Sequence, residues 1–183
     1  SRLSEINILT PILFEFIKKM NKKYKDLFFV FHSTKEHVQL IQNLLLKDDF
    51  KNCGAIGDEK IKSNILKSSI FAVAKSGTIS LEICHAKIPS IIIYKMGIVN
   101  YFLVKILVKV KFANIINIAA NEEVLPELIQ SKCNAKNIFI TVDKFLSDHK
   151  LIEEQILKSQ NIIKKFRTEK SSEIASRVLL NYL

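Results

Sequence analysis

The chain has 183 residues, 48% of them hydrophobic and 25% charged. That is enough apolar surface for the core of one ordinary domain or two small ones, and it excludes a disordered, collagen-like or disulfide-scaffold protein. Lys plus Arg number 28 against 18 Asp plus Glu, a formal charge of +10, so an anionic partner is the first expectation: nucleic acid, an acidic membrane surface or a phosphorylated substrate.

The first segment, Ser4 to Tyr24, places Ile6, Leu9, Leu13, Phe16, Ile17 and Met20 at spacings of three and four, with Pro11 near its first turns, and so predicts an amphipathic helix. Leu27 to Phe31 (LFFVF) predicts a strand buried on both faces of a parallel sheet. After His32-Ser33-Thr34, an N-cap candidate, Lys35 to Lys47 predicts a helix with Val38, Ile41, Leu44 and Leu45 on one face. A short strand near Ala55-Ile56, a helix from Asp58 to Lys67 and a strand at Ile70 to Ala74 follow. Lys75-Ser76-Gly77-Thr78 then opens a helix over Ile79 to Ala86, which closes before Pro89 and a β-branched strand, Ser90 to Tyr94. Beyond a basic apolar stretch the reading expects a turn or short strand at Asn114 to Ile118 and a helix from Glu122 to Gln130. Further helices are expected at Ala135 to Leu146, Leu151 to Phe166 and Ser171 to Tyr182.

This alternation predicts an α/β fold, a Rossmann-like, doubly wound parallel sheet over residues 1–147, followed by a helical extension over 148–183. In such sheets ligands bind beyond the carboxyl ends of the strands. The charge is partly compositional. Twenty-five of the basic residues are Lys, the only arginines are Arg2, Arg167 and Arg177, and Ile and Asn are abundant, as in proteins from AT-rich genomes. The three cysteines, Cys53, Cys84 and Cys133, follow no disulfide or zinc spacing and fit a reducing, cytoplasmic setting. No signal peptide is recognisable, and the longest apolar stretch, Ile98 to Phe112, is interrupted by Asn100, Lys105, Lys109 and Lys111, short of the roughly 18 uninterrupted residues of a membrane span. The chain starts at Ser1 rather than Met and reads as a fragment.

Ser76-Gly77-Thr78 stands between a strand and a helix, where backbone N–H groups favour a phosphate and Gly77 permits close approach. Taken alone, plain helix capping ranks ahead of phosphate binding there. Glu82, one helical turn beyond Thr78, is placed to accept hydrogen bonds from sugar hydroxyls or to be an ordinary exposed carboxylate. Cys84-His85 could be imagined as a nucleophile pair, but adjacent helix positions point about 100° apart, which favours a buried Cys and a partly exposed His.

The runs Ala74-Lys75-Ser76-Gly77-Thr78-Ile79-Ser80-Leu81-Glu82, Ala86-Lys87-Ile88-Pro89 and Tyr94-Lys95-Met96 resemble the C-terminal half of bacterial lipid-A-disaccharide synthases, glycosyltransferase family 19. Ser1-Arg2 with Ser4-Glu5-Ile6 is similar to the Gly-Ser-Arg-x-x-Glu-Ile motif of that family, its Gly cut off. Asn117 to Gln130 (NIAANEEVLPELIQ) resembles the family's Pro-Asn-Leu-Leu-Ala segment and the Pro-Glu-Leu-Leu-Gln that follows. Ile116 departs from a frequent Pro and Asn121 from a frequent Gly. Order and spacing agree over almost the whole chain.

The resemblance implies the donor-binding half of a glycosyltransferase-B enzyme. The implied reaction moves 2,3-diacylglucosamine from UDP to 2,3-diacylglucosamine 1-phosphate, giving the β-1,6 lipid A disaccharide and UDP. It also implies roles for residues. Arg2 would face the diphosphate and Asn117 would stand with it among the catalytic groups. Ser76, Gly77 and Thr78 would line the phosphate loop and Glu82 would hold the ribose. Tyr94, Glu127 and Gln130 would lie at the donor site. The open alternatives are a flexible terminal side chain for Arg2 and a turn cap for Asn117. The implied partners are UDP-2,3-diacylglucosamine, the acylated glucosamine 1-phosphate acceptor and an N-terminal half that would carry the general base. No Asp-x-Asp pair is placed to hold a nucleotide-bound cation, so neither a metal nor another cofactor is expected.

On a helical projection Tyr101, Lys105 and Lys109 share a stripe on an otherwise apolar stretch that includes Phe102 and Ile106, which suits a membrane interface; with the acylated substrates, the resemblance implies a cytoplasmic enzyme peripheral on the inner face of the inner membrane. A core helix with snorkelling lysines, or a contact with the other half, is weighed equally. The terminal helices are free to fold back, to reach that half or to exchange within a homodimer. Two other functions compete: a UDP-sugar transferase acting on another lipid-linked acceptor of the peptidoglycan type, against which the Tyr94 and Asn117 segments argue, and a basic nucleic-acid-binding module. Nucleic acid is not the expected partner, since no aromatic-interleaved basic strand or recognition-helix motif is present.

Overall fold

The computed structural model describes residues 3–97 and 111–166, with 176, 179 and 180 beyond them. Among the described residues five parallel strands alternate with helices: α1 (Leu3–Lys23), β1 (Phe29–His32), α2 (Lys35–Lys47), β2 (Cys53–Ile56), α3 (Glu59–Ser68), β3 (Ala72–Lys75), α4 (Ile79–His85) and β4 (Ser90–Tyr94). Then come α5 (Ile115–Ala120), β5 (Glu127–Ile129), a single 3₁₀ turn (Gln130–Lys132), α6 (Ala135–Ser147) and α7 (His149–Lys165). β1 pairs with β2, and β3, β4 and β5 pair in that order, every pair parallel. The Rossmann-like α/β architecture expected from the alternation is therefore present.

The central strand shows why the sheet is covered on both sides. Ile91, Ile92 and Ile93 of β4 are almost entirely buried, and strand geometry sends them alternately to opposite faces. Ile91 and Ile93 pack with Leu9, Phe16, Ile17 and Met20 of α1 and with Ile138 and Val142 of α6. Ile92 packs on the other face with Ile83 and Cys84 of α4, Ile116 of α5 and Ile162 and Ile163 of α7. Phe29 and Phe31 of β1 join the first cluster beside Val73 of β3, so the two sheet segments share one core. Pro11 lies on the exposed side of α1 above exposed Asn7. Water can reach the carbonyl there that a proline, lacking N–H, leaves unbonded.

Three expectations need correction. β1 is not buried on both faces: Phe29 and Phe31 are half-buried while Val30 and His32 are exposed, the alternation of a strand covered mainly on one side. The segment expected as a turn or short strand at 114–118 is helix α5, because the Asn114 Oδ1 accepts the Ile116 N–H at 2.9 Å and caps it. The helix expected over Glu122 to Gln130 is absent. Pro126 cannot donate to residue 122 and biases Leu125 toward extended backbone, and the chain enters β5, ending at a left-handed Gln130 with φ 51°. The helix expected over Ser171 to Tyr182 falls mostly outside the described residues.

α7 belongs to the domain's core as far as it is described. Its buried Gln155 reaches the start of β4, where Oε1 accepts the Ser90 N–H at 2.7 Å and Nε2 donates to the Ser90 carbonyl at 3.0 Å and the Val124 carbonyl at 3.2 Å. A Leu at 155 would keep the volume and strand three backbone groups in a dry site. We expect Gln155→Leu to cost about 2–3 kcal/mol and to lower the melting temperature by about 5–10 °C, as read by calorimetry.

Candidate functional site

The strands all point their carboxyl ends at one edge, so the loops that leave them meet there. β3 ends at Lys75, and the Ser76 N–H extends its pairing by one step to the Ile93 carbonyl at 3.4 Å. The hydroxyls of the following loop are not spent on capping. Ser76 Oγ donates to the Ala113 carbonyl at 2.8 Å, and Thr78, though at the N-cap position of α4, makes no side-chain cap bond. The loop is closed from behind by fully buried Ser80, whose Oγ donates to the Gly77 carbonyl at 2.8 Å. Gly77 and Thr78 are exposed, and a Cβ built on Gly77 would meet nothing within 4 Å. The loop thus presents a surface with open space above it.

Glu82 lies one turn into α4, where its Oε2 is 2.8 Å from Lys62 Nζ of α3. The same ammonium pairs with Glu59, and Glu59 Oε1 is 3.4 Å from His32 Nε2 at the end of β1. The last residue of β1 and residues following β2 and β3 therefore converge on one charged cluster. Hydrogen bonds from Lys62 hold the Glu59 carboxyl below its usual range, and the two carboxylates raise the Lys62 ammonium. Burial outweighs the nearby carboxylates at His32 and lowers it, favouring the neutral ring.

On the other side of the loop, Lys75 Nζ is 2.7 Å from Glu5 Oε1 and 5.7 Å from the centroid of the Tyr94 ring. This contact brings the beginning of α1 to the carboxyl ends of β3 and β4. Arg2, the residue expected to face a diphosphate, lies outside the described residues. So do Phe102, Lys105, Ile106 and Lys109, on which the membrane expectation rests.

The Asn117 segment works differently from what the sequence led us to expect. Asn117 is fully buried. Its Nδ2 donates to the Leu125 carbonyl at 2.7 Å and to Glu127 Oε1 at 2.8 Å, and its Oδ1 accepts the Val124 and Leu125 N–H groups at 2.9 and 2.8 Å. Every hydrogen-bonding direction of the amide is used inside the chain, so here it clips α5 to the segment leading into β5. Glu127 continues the clip, its two carboxylate oxygens accepting the Ala113 and Asn114 N–H groups at 2.8 and 2.9 Å. Gln130 pairs with the backbone of Met96, accepting from its N–H at 2.8 Å and donating to its carbonyl at 3.2 Å. Through these bonds the segments after β4 and β5 are tied beside the Ser76 loop.

Cys84 is buried, its thiol pushed up to about 11 by burial, while His85 is exposed. No thiolate–imidazole pair forms. Among the described residues no group of three or more His, Cys, Asp or Glu is arranged to hold a metal ion, and no helix is long and apolar enough to cross a membrane.

A family model described as lipid-A-disaccharide synthetase matches residues 1–179. The chain belongs to the lipid-A-disaccharide synthase family. The Rickettsia typhi lipid-A-disaccharide synthase is 33% identical over 168 residues, which cover 91% of this chain and 43% of that protein. The Rickettsia prowazekii enzyme is 32% identical over 98% of this chain and 47% of its own length. That of a Sulfurihydrogenibium species is 30% identical over all of this chain and 49% of its own. The chain thus spans somewhat under half the length of these lipid-A-disaccharide synthases.

Its two departures from the family pattern have local explanations. Asn121 ends α5 in the left-handed region at φ 54°, where Gly is favoured and Asn is the next most tolerant residue. Ile116 offers the N–H that the Asn114 cap requires, which a Pro would lack, and its side chain is fully buried in the core. Four charged residues at the site were not singled out as site residues from sequence: Glu5, Glu59, Lys62 and Lys75. Lys62 carried no signal beyond being one more lysine on a helix, since its partner Glu82 is 20 positions away. The motif runs did contain Glu5 and Lys75, but nothing in them indicates that the two meet.

Proposed function

We propose that this chain is the sugar-nucleotide-binding part of a lipid-A-disaccharide synthase. The complete enzyme would transfer 2,3-diacylglucosamine from UDP to an acylated glucosamine 1-phosphate. The observation that carries the reading is the placement of the family motifs. Ser76-Gly77-Thr78 follow β3, Tyr94 ends β4 and Gln130 follows β5, so they gather at the carboxyl edge of three adjacent parallel strands, where α/β folds bind nucleotides.

In this reading the backbone of 76–78 and the Thr78 hydroxyl meet the diphosphate, with Gly77 leaving room for it. The Glu82 carboxylate accepts from the ribose. Arg2 adds a bidentate charge at the leaving diphosphate. Asn117, Glu127 and Gln130 act one layer back, holding the segments that border the loop. Stabilising the departing UDP is the catalytic share of this part. The base that deprotonates the acceptor hydroxyl is assigned to residues beyond this chain. Association with the inner-membrane surface through the stretch around Lys105 and Lys109 is part of the proposal and rests on the acyl chains of both substrates and the sequence pattern alone.

Titration of the full-length protein with UDP, set against random oligonucleotides at stepped salt, tests the reading. Saturable UDP binding with only weak, salt-sensitive oligonucleotide binding is expected. Tight oligonucleotide binding with no response to UDP would overturn it.

A further inference from the structure

The carboxylate that the proposed function assigns to the ribose is not held by its own helix. Glu82 is a half-exposed side chain, and its long flexible stem has several rotamers to choose from. What restrains it is Lys62, which reaches across from α3. The Lys62 side chain is only 12% exposed, against 47% for Glu82 and 70% for Glu59. The Lys62 stem is therefore covered while its ammonium lies between two carboxylates that both stay in contact with solvent. No residue of α3 is fully buried, so Lys62 does not take this place as a by-product of a deeply packed helix.

The contact is made through one oxygen of the Glu82 carboxylate, Oε2, at 2.8 Å from the Lys62 ammonium. An ammonium at this position fixes the carboxylate in one orientation.

We propose that Lys62 is a positioning residue for the nucleotide: pinned between Glu59 and Glu82, it locks the Glu82 carboxylate in the orientation that accepts the ribose hydroxyls. This rests on the assignment of Glu82 to the ribose. The test compares UDP with 2′-deoxy-UDP in the full-length protein, using calorimetric titration. Lys62→Met is expected to weaken UDP binding about tenfold, the size of one charge-assisted hydrogen bond, and to bring the two ligands close to equal affinity. Lys62→Arg should restore most of the preference for UDP. In a Glu82→Gln background, Lys62→Met should add little.

An equal loss for both ligands in Lys62→Met, or a fall in melting temperature with the preference intact, would overturn the proposal and leave Lys62 as a tie between two helices. If Lys62→Met does not fold, Lys62→Gln is read in the same way. The underlying assignment fails separately: Glu82→Gln with an unchanged preference for UDP would remove the ribose reading itself.

Discussion

Asn117→Ala is expected to lower the melting temperature by about 10 °C, a loss of roughly 3–4 kcal/mol. The side chain is fully buried and makes four hydrogen bonds. Its removal leaves two N–H groups, a carbonyl and one oxygen of the Glu127 carboxylate with fewer partners in a site closed to water. Each such group costs about 1–3 kcal/mol in isolation, and local relaxation recovers part of the sum. Asn117→Asp sharpens the test. It places a carboxylate 2.8 Å from Glu127 Oε1 where an amide N–H stood, and one of the two must take up a proton to remain. The folded-state pKa of the pair is then raised above its unfolded value, so this variant should be least stable at neutral pH and recover as the pH falls. A variant at 117 that abolishes activity while melting like the parent would instead put the side chain on the substrate.

Glu82→Ala in the full-length protein is expected to weaken UDP binding by about ten- to a hundredfold, the range for losing hydrogen bonds to a charged acceptor. Gly77→Val should act on the same equilibrium by a different route, filling the space over the loop. Neither change should unfold the protein. Glu82 is half-exposed, and a Cβ at position 77 meets no atom of the chain within 4 Å, so the cost of Val there is a local backbone strain at φ 159°. Unchanged affinity in both variants would reject the assignment of this loop to the nucleotide, and binding that fails together with the melting transition would mark the positions as structural.

What the sequence revealed, and what it hid, follows from the range of the interactions. β4 and α2 were legible to the residue because their signals are local, a β-branched run in one and apolar spacing of three and four in the other. The stretch from 114 to 130 was misread because distant partners decide it. Asn114 and Asn117 resemble turn residues in isolation, and only the fold shows one capping α5 and the other clipping residues 124, 125 and 127. The Glu122 to Gln130 segment has helical composition, yet Pro126 and pairing with β4 at Ile92, Ile93 and Tyr94 make its end a strand. At the candidate site, the Ser76 loop and Glu82 were named through the family resemblance, their local signal alone being weak. Lys62 and the Glu5–Lys75 pair were not, since each couples helices or strands far apart in sequence.

Ion pairing leaves the formal +10 unchanged, but it sets several lysines beside carboxylates, including Lys62 with Glu82, Lys75 with Glu5 and Lys23 with Asp143.

The central claim is that the edge formed by the β3–α4 loop and its neighbours receives a uridine nucleotide. Amide hydrogen exchange of the full-length protein, with and without saturating UDP, tests it most directly. Protection is predicted at residues 76–82, with smaller changes at 94–96 and around 130. Protection confined to other surfaces, or an exchange pattern unaltered at 76–82 under saturating UDP, would contradict the account.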